Sequence, residues 1–258
     1  MPANNMLKKT RPPVQGAASI IKGLNLLQLI PELGHDATAK NIQESTGMPR
    51  PTIYRLLNTL EQEGFVERSP TSGEYVLGTQ IIKLGQRAVS RSNLRERVRS
   101  LMHLISKDTG ETVHLGVPYG CHMTFIDKVE SAEAVRMASY IGMPVPMHST
   151  SVGKAYLAAL DEEAREQYLA QIRLEAVTER TLTDRGALRD ELLRTRQRGY
   201  AIDDEENEAG IICFGHAVHV VDGRAAGAIS VSVPRYRLHE DSAAHIVQTI
   251  ASHLKALK

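Results

Sequence analysis

The stretch from Ala37 to Glu63, ATAKNIQESTGMPRPTIYRLLNTLEQE, constrains the fold most, because it predicts two short helices joined by a tight turn. Gly47 supplies the turn. Pro51 has a fixed φ that suits a first helical turn, so the second helix is expected to begin at Arg50 or Pro51. Apolar residues at three- and four-residue spacing predict one buried stripe on that helix: Ile53, Leu56, Leu57 and Leu60.

The opposite face of the second helix is polar, since Arg55, Asn58 and Gln62 point away from the stripe at the α-helical repeat. Such a face can donate hydrogen bonds to base edges in a DNA major groove. The sequence predicts DNA contacts from seven residues in and around the helix pair: Lys40, Arg50, Thr52, Tyr54, Arg55, Asn58 and Arg68. Two alternatives stay open: an ordinary helical hairpin, and cations that are only solvated surface charges.

Flanking patterns favour the DNA-binding interpretation. Gly64 ends the second helix, and residues 65–68 and 74–77 are typical of two short strands around a Ser-Pro-Thr-Ser-Gly turn. Upstream, apolar residues from Ala17 to Ile30 predict a further helix, which Pro31 is expected to stop. Three helices and a hairpin together predict a winged helix-turn-helix.

The chain is expected to contain four segments. They are a mobile basic tail at residues 1–14, a winged helix-turn-helix at 15–78, a connecting helix at 79–92 and a second domain at 93–258. The connecting helix has an apolar face at Ile81, Leu84 and Ala88 that needs a partner, which predicts a homodimer or a dimer of dimers. A two-fold dimer in turn predicts double-stranded operator DNA with inverted-repeat half-sites.

Charge is distributed unevenly between the two parts of the chain. Residues 1–92 hold 11 Lys or Arg against 7 Asp or Glu, a net of +4, so the other residues carry 1 − 4 = −3 of the total of +1. The N-terminal part is therefore the one suited to phosphates. The first residues lack the apolar centre of a signal peptide, no apolar run is long enough to cross a membrane, and two cysteines form no disulfide framework. We expect a cytoplasmic protein without a membrane partner.

The second domain mixes strand and helix signals without the regular βαβ rhythm of a parallel sheet, which indicates an α+β fold with an antiparallel sheet. Strands are predicted at residues 112–117, 121–129, 135–141, 200–203, 211–221 and 224–233. Helices are predicted from the connecting segment to about residue 106 and then at residues 153–160, 162–170, 184–198 and 240–257.

Residues 15–92 resemble the DNA-binding half of the isocitrate lyase regulator (IclR) family of bacterial transcription factors, above all through TIYRLLNTLEQEGFV at Thr52 to Val66. Two later stretches extend the resemblance to the small-molecule-sensing domain of that family. They are MHSTSVGKAYL at residues 147–157 and RGYAIDDEE at residues 198–206, which runs on into GIIC at residues 210–213. The resemblance implies a repressor of a catabolic operon, controlled by a sugar acid or by an aromatic or hydroaromatic carboxylate.

The resemblance also implies a GAF-like effector pocket, and by position it assigns seven residues to that pocket: Ser151, Val152, Asp203, Ile211, Cys213, Ser230 and Ser232. Residues 149–153 precede a helix, whose free N–H groups favour a carboxylate, although a plain N-cap is the alternative. Ser230 and Ser232 share one face of a strand, which is either a pocket floor or solvent-facing. Asp203 either lines the pocket or belongs to a solvated acidic run.

Enzymatic and metal-binding interpretations fit the sequence less well. The segment Val152 to Ala155 lacks the first glycine and the final hydroxyl of a phosphate loop, and Ser149 stands where a serine-hydrolase elbow needs glycine. Cys213, His216 and His219 do not all share one strand face, and His103, His114 and His148 are expected to be ordinary hydrogen-bonding groups. No catalytic residue, metal or cofactor is predicted. The alternative function is a metabolic enzyme or small-molecule-binding module whose N-terminal domain mediates protein contacts.

Overall fold

The computed structural model describes residues 16–90, 94–134, 137–219, 223–255 and 257. The chain divides into two compact units, residues 1–88 and 89–258. The basic tail predicted at residues 1–14 and the boundary predicted near residue 92 lie outside the described residues.

Three helices and a two-stranded hairpin form the first unit. The helices are α1 (Ala18–Leu33), α2 (Ala39–Thr46) and α3 (Arg50–Gln62), and the antiparallel strands are β1 (Val66–Arg68) and β2 (Tyr75–Leu77). A fourth helix, α4 (Thr79–Ser90), follows the hairpin. The predicted winged helix-turn-helix is confirmed, and α3 begins at Arg50, as expected from the position of Pro51.

The core of the first unit contains the apolar residues that the helical spacing predicted. Ile53 and Leu57 of α3 are fully buried, whereas Leu56 and Leu60 are half-buried at its edge. Gly47 ends α2 in the left-handed conformation, with φ of 65°, which a residue with a Cβ rarely adopts. The turn between the two helices is therefore tight, and α3 keeps its polar face outward.

The prediction that Pro31 stops the first helix is wrong by three residues. α1 continues through Pro31 to Leu33 and ends at Gly34, whose N–H donates to the Ile30 carbonyl. A proline in the last turn removes only one hydrogen bond near the helix end, so the apolar packing of Leu26 and Ile30 outweighs its cost.

The second unit is a six-stranded antiparallel sheet with helices on both faces. The strands are β3 (Thr112–Tyr119), β4 (His122–Val129), β5 (Pro144–Pro146), β6 (Ala201–Asp204), β7 (Ile211–His219) and β8 (Ala225–Pro234), in the order β5-β4-β3-β8-β7-β6. The helices are α5 (Leu94–Thr109), α6 (Ser151–Ala159), α7 (Glu162–Gln171), α8 (Arg185–Arg198) and α9 (Glu240–Lys255). The predicted α+β class is confirmed.

The two faces of the sheet pack against different helices. One face is apolar, through residues such as Val231, Val233 and Phe214, and packs against α5 and α9. The other face lies under α6, and the alternation of side chains along β7 and β8 places Cys213 and Ser232 on it. Residues 151–158 of α6 are all buried, so this helix covers the second face along its length, where apolar residues such as Met123 and Phe125 also pack.

The strand predicted at residues 135–141 is wrong. Residues 135 and 136 lie outside the described residues, and residues 137–141 are irregular. The strand of this region is β5 instead, at the edge of the sheet, where prolines are tolerated because their missing N–H is not needed. The irregular residues are held by side chains rather than by a ladder, since the His114 ring and the Lys128 ammonium both bond Ser139.

Candidate nucleic-acid interface and ligand pocket

The polar face of α3 is open to solvent. Arg50, Arg55 and Asn58 are exposed, while Thr52 and Tyr54 are half-buried between this face and the core. Lys40 of α2 is exposed, and so is Arg68, at the end of β1 where the hairpin turns. The structure therefore leaves five of the seven residues predicted to contact DNA exposed and the other two half-buried.

Among the described residues, the two arginines of α3 have no anionic partner. Neither Arg50 nor Arg55 forms an ion pair within the ranges that the structure describes. The Arg50 guanidinium lies over the Tyr54 ring, with 5.4 Å to the centroid, and Arg68 lies similarly over Tyr75 at 5.8 Å. These aromatic contacts orient the cations without neutralising them, so their charge is available to a phosphate or a base edge.

The residues assigned to the ligand pocket come together on the face of the sheet under α6. Asp203 pairs with Cys213, and Cys213 pairs with Ser232, so the three side chains form one row across β6, β7 and β8. The Cys213 thiol donates to Ser232 Oγ at 3.2 Å. Ser230 and Ile211 lie two residues along their strands from this row and point to the same face. All five side chains are buried.

The start of α6 lies directly on this row. A Cβ built on Gly215 of β7 would lie 2.4 Å from the Ser151 carbonyl oxygen, and one built on Gly116 of β3 would lie 3.4 Å from Val152. Glycine at position 215 therefore lets the first turn of α6 approach the sheet. This contact places Ser151 and Val152 above the floor formed by the other five residues.

The first turn of α6 offers unpaired backbone donors. Thr150 is the N-cap, and its Oγ1 accepts from the Gly153 N–H at 3.2 Å. The N–H groups of Ser151 and Val152 have no acceptor among the described residues. The N-cap alternative thus holds for Thr150, while two donors remain free for an anion at the positive end of the helix.

Burial excludes a solvent-facing position for Ser230, Ser232 and Asp203. Ser230 and Ser232 are each 3% exposed, so their strand face is not solvent. Asp203 is also 3% exposed, and its Oδ1 accepts from the backbone N–H groups of Glu206 and Asn207 at 2.8 and 3.2 Å. Asp203 is therefore not part of a solvated acidic run.

Lys154 is a buried cation that interacts with two buried carboxyl groups, those of Glu206 and Asp203. Lys154 of α6 is fully buried and forms an ion pair with Glu206, while Glu206 Oε2 has no partner among the described residues. Burial raises the pKa of Asp203 to about 7, although Lys154 acts in the opposite direction, and burial also raises the pKa of Glu206. Asp203 can therefore hold a proton near neutral pH and act as either donor or acceptor toward a ligand.

His114 extends the polar floor by one strand. Its Nδ1 lies 3.4 Å from Ser232 Oγ, and its Nε2 lies 2.8 Å from Ser139 Oγ. Burial, and next the charge of Lys128, lowers the pKa of His114 to about 3, so the ring is neutral. The interpretation of His114 as an ordinary satisfied group is correct, but sequence reasoning missed that one of its partners is Ser232, because β3 and β8 are far apart in the chain.

The sequence also missed Lys154 and Glu206 as a pair. The signal was a lysine inside an otherwise apolar helical segment, since a buried charge needs a partner.

Within the described residues no group of three His, Cys, Asp or Glu side chains lies close enough to hold a metal ion. The pairing of β7 with β8 is irregular between Val218 and His219.

Family models match both units. Residues 86–256 match the model of the bacterial transcriptional regulator IclR C-terminal domain, and residues 19–70 match the model of the IclR helix-turn-helix domain. Among the described residues, no helix is both long and apolar enough to cross a membrane.

Relatives of known name or structure cover nearly the whole chain. The acetate operon repressor of Salmonella typhimurium is 33% identical over 252 residues, which are 96% of this chain and 91% of that protein. The crystal structure of the Thermotoga maritima IclR protein is 32% identical, with a TM-score of 0.81 over 93% of this chain and 96% of that one. An IclR homologue from Microbacterium hydrocarbonoxydans, solved with 4-hydroxybenzoate, shares the fold at 23% identity and a TM-score of 0.76, covering 93% of this chain and 100% of that one.

Proposed function

Because the chain belongs to the IclR family of bacterial transcriptional regulators, we propose that it is a DNA-binding regulator that a small organic acid switches. The observation that carries the DNA-binding part is the exposed face of α3, where Arg50 and Arg55 are unpaired among the described residues. The relatives are transcriptional regulators rather than enzymes, which favours this function over the enzyme alternative.

In this proposal α3 enters the major groove of operator DNA. Arg55 and Asn58 contact base edges, and Arg50, Lys40 and Arg68 contact phosphates around them. Thr52 and Tyr54 supply further contacts at the edge of the same surface. Such a protein acts where the chromosome is, so we place it in the cytoplasm.

We propose a homodimer, with a dimer of dimers as the larger assembly. The support is α4, which leaves apolar surface exposed: Ile82 is 61% exposed and Leu84 is 43% exposed, next to half-buried Ile81. Apolar side chains on one helix favour a second copy of that helix as the partner. A two-fold dimer then requires an inverted-repeat operator.

The proposed effector is a small organic acid, either a sugar acid or an aromatic or hydroaromatic carboxylate. Its carboxylate would accept from the free N–H groups of Ser151 and Val152. Its hydroxyl or ring would lie over Ser230, Ser232 and Asp203, with Ile211 and Cys213 beside them. The nearest buried cation, Lys154, already pairs with Glu206, so the helix end is the better site for the carboxylate.

We propose repression of a catabolic operon as the mode of action, because the Salmonella typhimurium relative is named as a repressor of the acetate operon. An effector that binds one dimer geometry better shifts the protein toward that geometry. A coupling of about 1–3 kcal/mol would change operator affinity roughly 5- to 150-fold.

A mobility-shift assay on DNA upstream of the gene for this chain tests the first part of the proposal. Retardation is expected, and it should weaken steeply between low and physiological salt because cations displace counterions from phosphates. Absence of retardation on that DNA and on operators of the relatives would support the alternative of an N-terminal domain that binds protein.

Thermal-shift screening of a small-carboxylate panel tests the second part, since a ligand that binds only the folded protein raises the melting temperature. Ser232→Ala should reduce the shift given by the best ligand, because the hydroxyl bonds both His114 and Cys213 on the pocket floor. Ser252→Ala removes an exposed serine hydroxyl of α9 and should leave the shift unchanged. Equal shifts in wild type and Ser232→Ala would reject the pocket assignment.

A further inference from the structure

A second cavity lies on the opposite face of the sheet from the pocket above. Its volume is about 670 Å³, within the range of roughly 300–1,000 Å³ that small-molecule sites occupy. β7 separates the two sites, because Cys213 points toward α6 whereas His216, three residues along the strand, points toward α5 and α9.

The walls of this cavity are apolar. Val218 of β7 and Leu254 and Leu257 of the C-terminal segment line it, together with two alanines. These side chains belong to or pack against the core between the sheet, α5 and α9. An apolar ligand body would therefore remove hydrocarbon surface from water on several sides.

The charged side chains described around the cavity favour an anion. Arg97 and Lys255 line it, and none of its described lining residues is acidic. Arg97 is half-buried and its Nη2 donates to the Leu257 carbonyl at 3.2 Å, which fixes the guanidinium at the wall. Within the described ranges neither cation forms an ion pair, so Arg97 keeps donors and charge for a ligand.

Two imidazoles add hydrogen-bonding capacity. His219 is exposed, and His216 is 8% exposed with its ring beside Tyr200. The Nδ1 atom of His216 is buried and has no hydrogen-bond partner among the described residues. Burial lowers the pKa of His216 to about 4, so the ring is neutral at physiological pH and adds a hydrogen-bond donor or acceptor rather than a charge.

We propose that this cavity is a second ligand site, separate from the pocket under α6, and that it binds an amphipathic carboxylate. The carboxylate pairs with Arg97 and Lys255, and the apolar body lies against Val218, Leu254 and Leu257. The cavity would accept an alkyl or aryl acid larger than the small acids proposed for the pocket. The proposal does not depend on DNA binding or on the effector assignment.

Octanoate is a suitable probe, with 1-octanol and octylamine as neutral and cationic molecules of the same length. Methyl NMR spectra of the full chain separate the two sites, because Val218 and Leu254 line the cavity while Val152 lies at the pocket. Octanoate should shift the methyl signals of Val218 and Leu254 and leave those of Val152 in place. Octanol should bind about tenfold more weakly and octylamine more weakly still, because both lack the charge that pairs with the cations.

Arg97→Gln and Lys255→Gln should each weaken octanoate binding by about tenfold, the effect of losing one charge-assisted hydrogen bond. Lys107→Gln, which removes an exposed cation of α5 outside the cavity, is the matched control and should bind as the wild type does. If Arg97→Gln does not fold, Lys255→Gln carries the test, because Lys255 is exposed. Shifts at Val152 alone, equal affinity for octanol, or wild-type affinity in Lys255→Gln would each overturn the proposal.

Discussion

At the scale of single residues, Arg55 is the side chain on which DNA recognition should depend most. It is exposed at the middle of α3 and has no ion pair within the described residues. Arg55→Ala should cost about 1–3 kcal/mol in operator binding if the guanidinium contacts a base, measured by titration in a mobility-shift assay. Lys22→Ala removes an equal charge from an exposed position on α1 and should cost less.

The same variant separates the two functions of the chain. Arg55→Ala should keep the melting-temperature shift given by an effector, because Arg55 belongs to the first unit and the pocket to the second. Normal operator affinity in Arg55→Ala would remove this residue from the interface.

Asp203 gives a prediction about pH and stability. Burial raises its pKa from 3.8 to about 7, so between those values the folded protein holds a proton that the unfolded chain has released. The free energy of unfolding of the wild type should therefore fall as pH rises from about 4 to 7, relative to Asp203→Asn, by up to a few kcal/mol. The asparagine keeps the Oδ1 acceptor for the two backbone N–H groups but does not titrate.

Urea unfolding of the wild type and Asp203→Asn at several pH values measures this difference. Asp190→Asn, at an exposed position on α8, controls for the change of charge. Parallel curves for wild type and Asp203→Asn would show that the Asp203 carboxyl titrates alike in the folded and unfolded chains.

At the scale of elements, the proposed ligand pocket depends on the close approach of α6 to β7. Gly215→Ala would bring a Cβ to 2.4 Å from the Ser151 carbonyl oxygen, a backbone atom that can move only if α6 moves. We expect a loss of about 1–3 kcal/mol in unfolding free energy and a loss of the effector-induced melting shift.

Gly85→Ala is the contrasting substitution. Gly85 lies in α4, and the Cβ that alanine adds would meet no described atom within 4 Å beyond its chain neighbours and the backbone of its own helix, so alanine should stabilise that helix by about 0.5–1 kcal/mol. Denaturation followed by circular dichroism measures both variants. A Gly215→Ala protein as stable as the wild type, with an unchanged effector response, would contradict the close packing of α6 on the sheet.

The elements that the sequence predicted well are those set by local patterns. The stripe at Ile53 and Leu57 and the turn at Gly47 depend only on neighbours within a few residues, and α3 was placed correctly from them. The segment at residues 137–141 was mistaken for a strand, because its alternating residues look like one. Whether they pair depends on an edge of the sheet that forms through contacts distant in sequence.

The residues assigned to the ligand pocket also show this difference between local patterns and contacts distant in sequence. The resemblance placed Asp203, Cys213 and Ser232 on their strands, but only the strand order brings them into one row. The partners of His114 and Lys154, Ser232 and Glu206, were missed because they lie 118 and 52 residues away. Residue type alone does not reveal that a histidine or lysine is buried beside a pocket.

At the scale of the whole molecule, the proposed dimer fixes the spacing between the two half-sites of the operator. Two copies of α3 related by a two-fold axis would read half-sites separated by whole helical turns of DNA, about 10–10.5 base pairs each. Inserting five base pairs between the half-sites turns one of them to the opposite side of the duplex. The affinity for the operator in a mobility-shift assay should then fall to that for a single half-site. Inserting ten base pairs should restore part of the lost affinity.

The exposed apolar face of α4 links this geometry to assembly. Leu84→Glu places a charge at a residue of this face that is 43% exposed in the single chain and should be buried in a dimer, so it should lower the dimer fraction in sedimentation experiments. Lys83→Gln changes the net charge by the same amount on an adjacent, exposed residue and should leave the dimer intact. If Leu84→Glu remains dimeric, the dimer forms through another surface. If it becomes monomeric yet still distinguishes the five-base-pair insertion, the spacing of the half-sites is not read by two copies of α3.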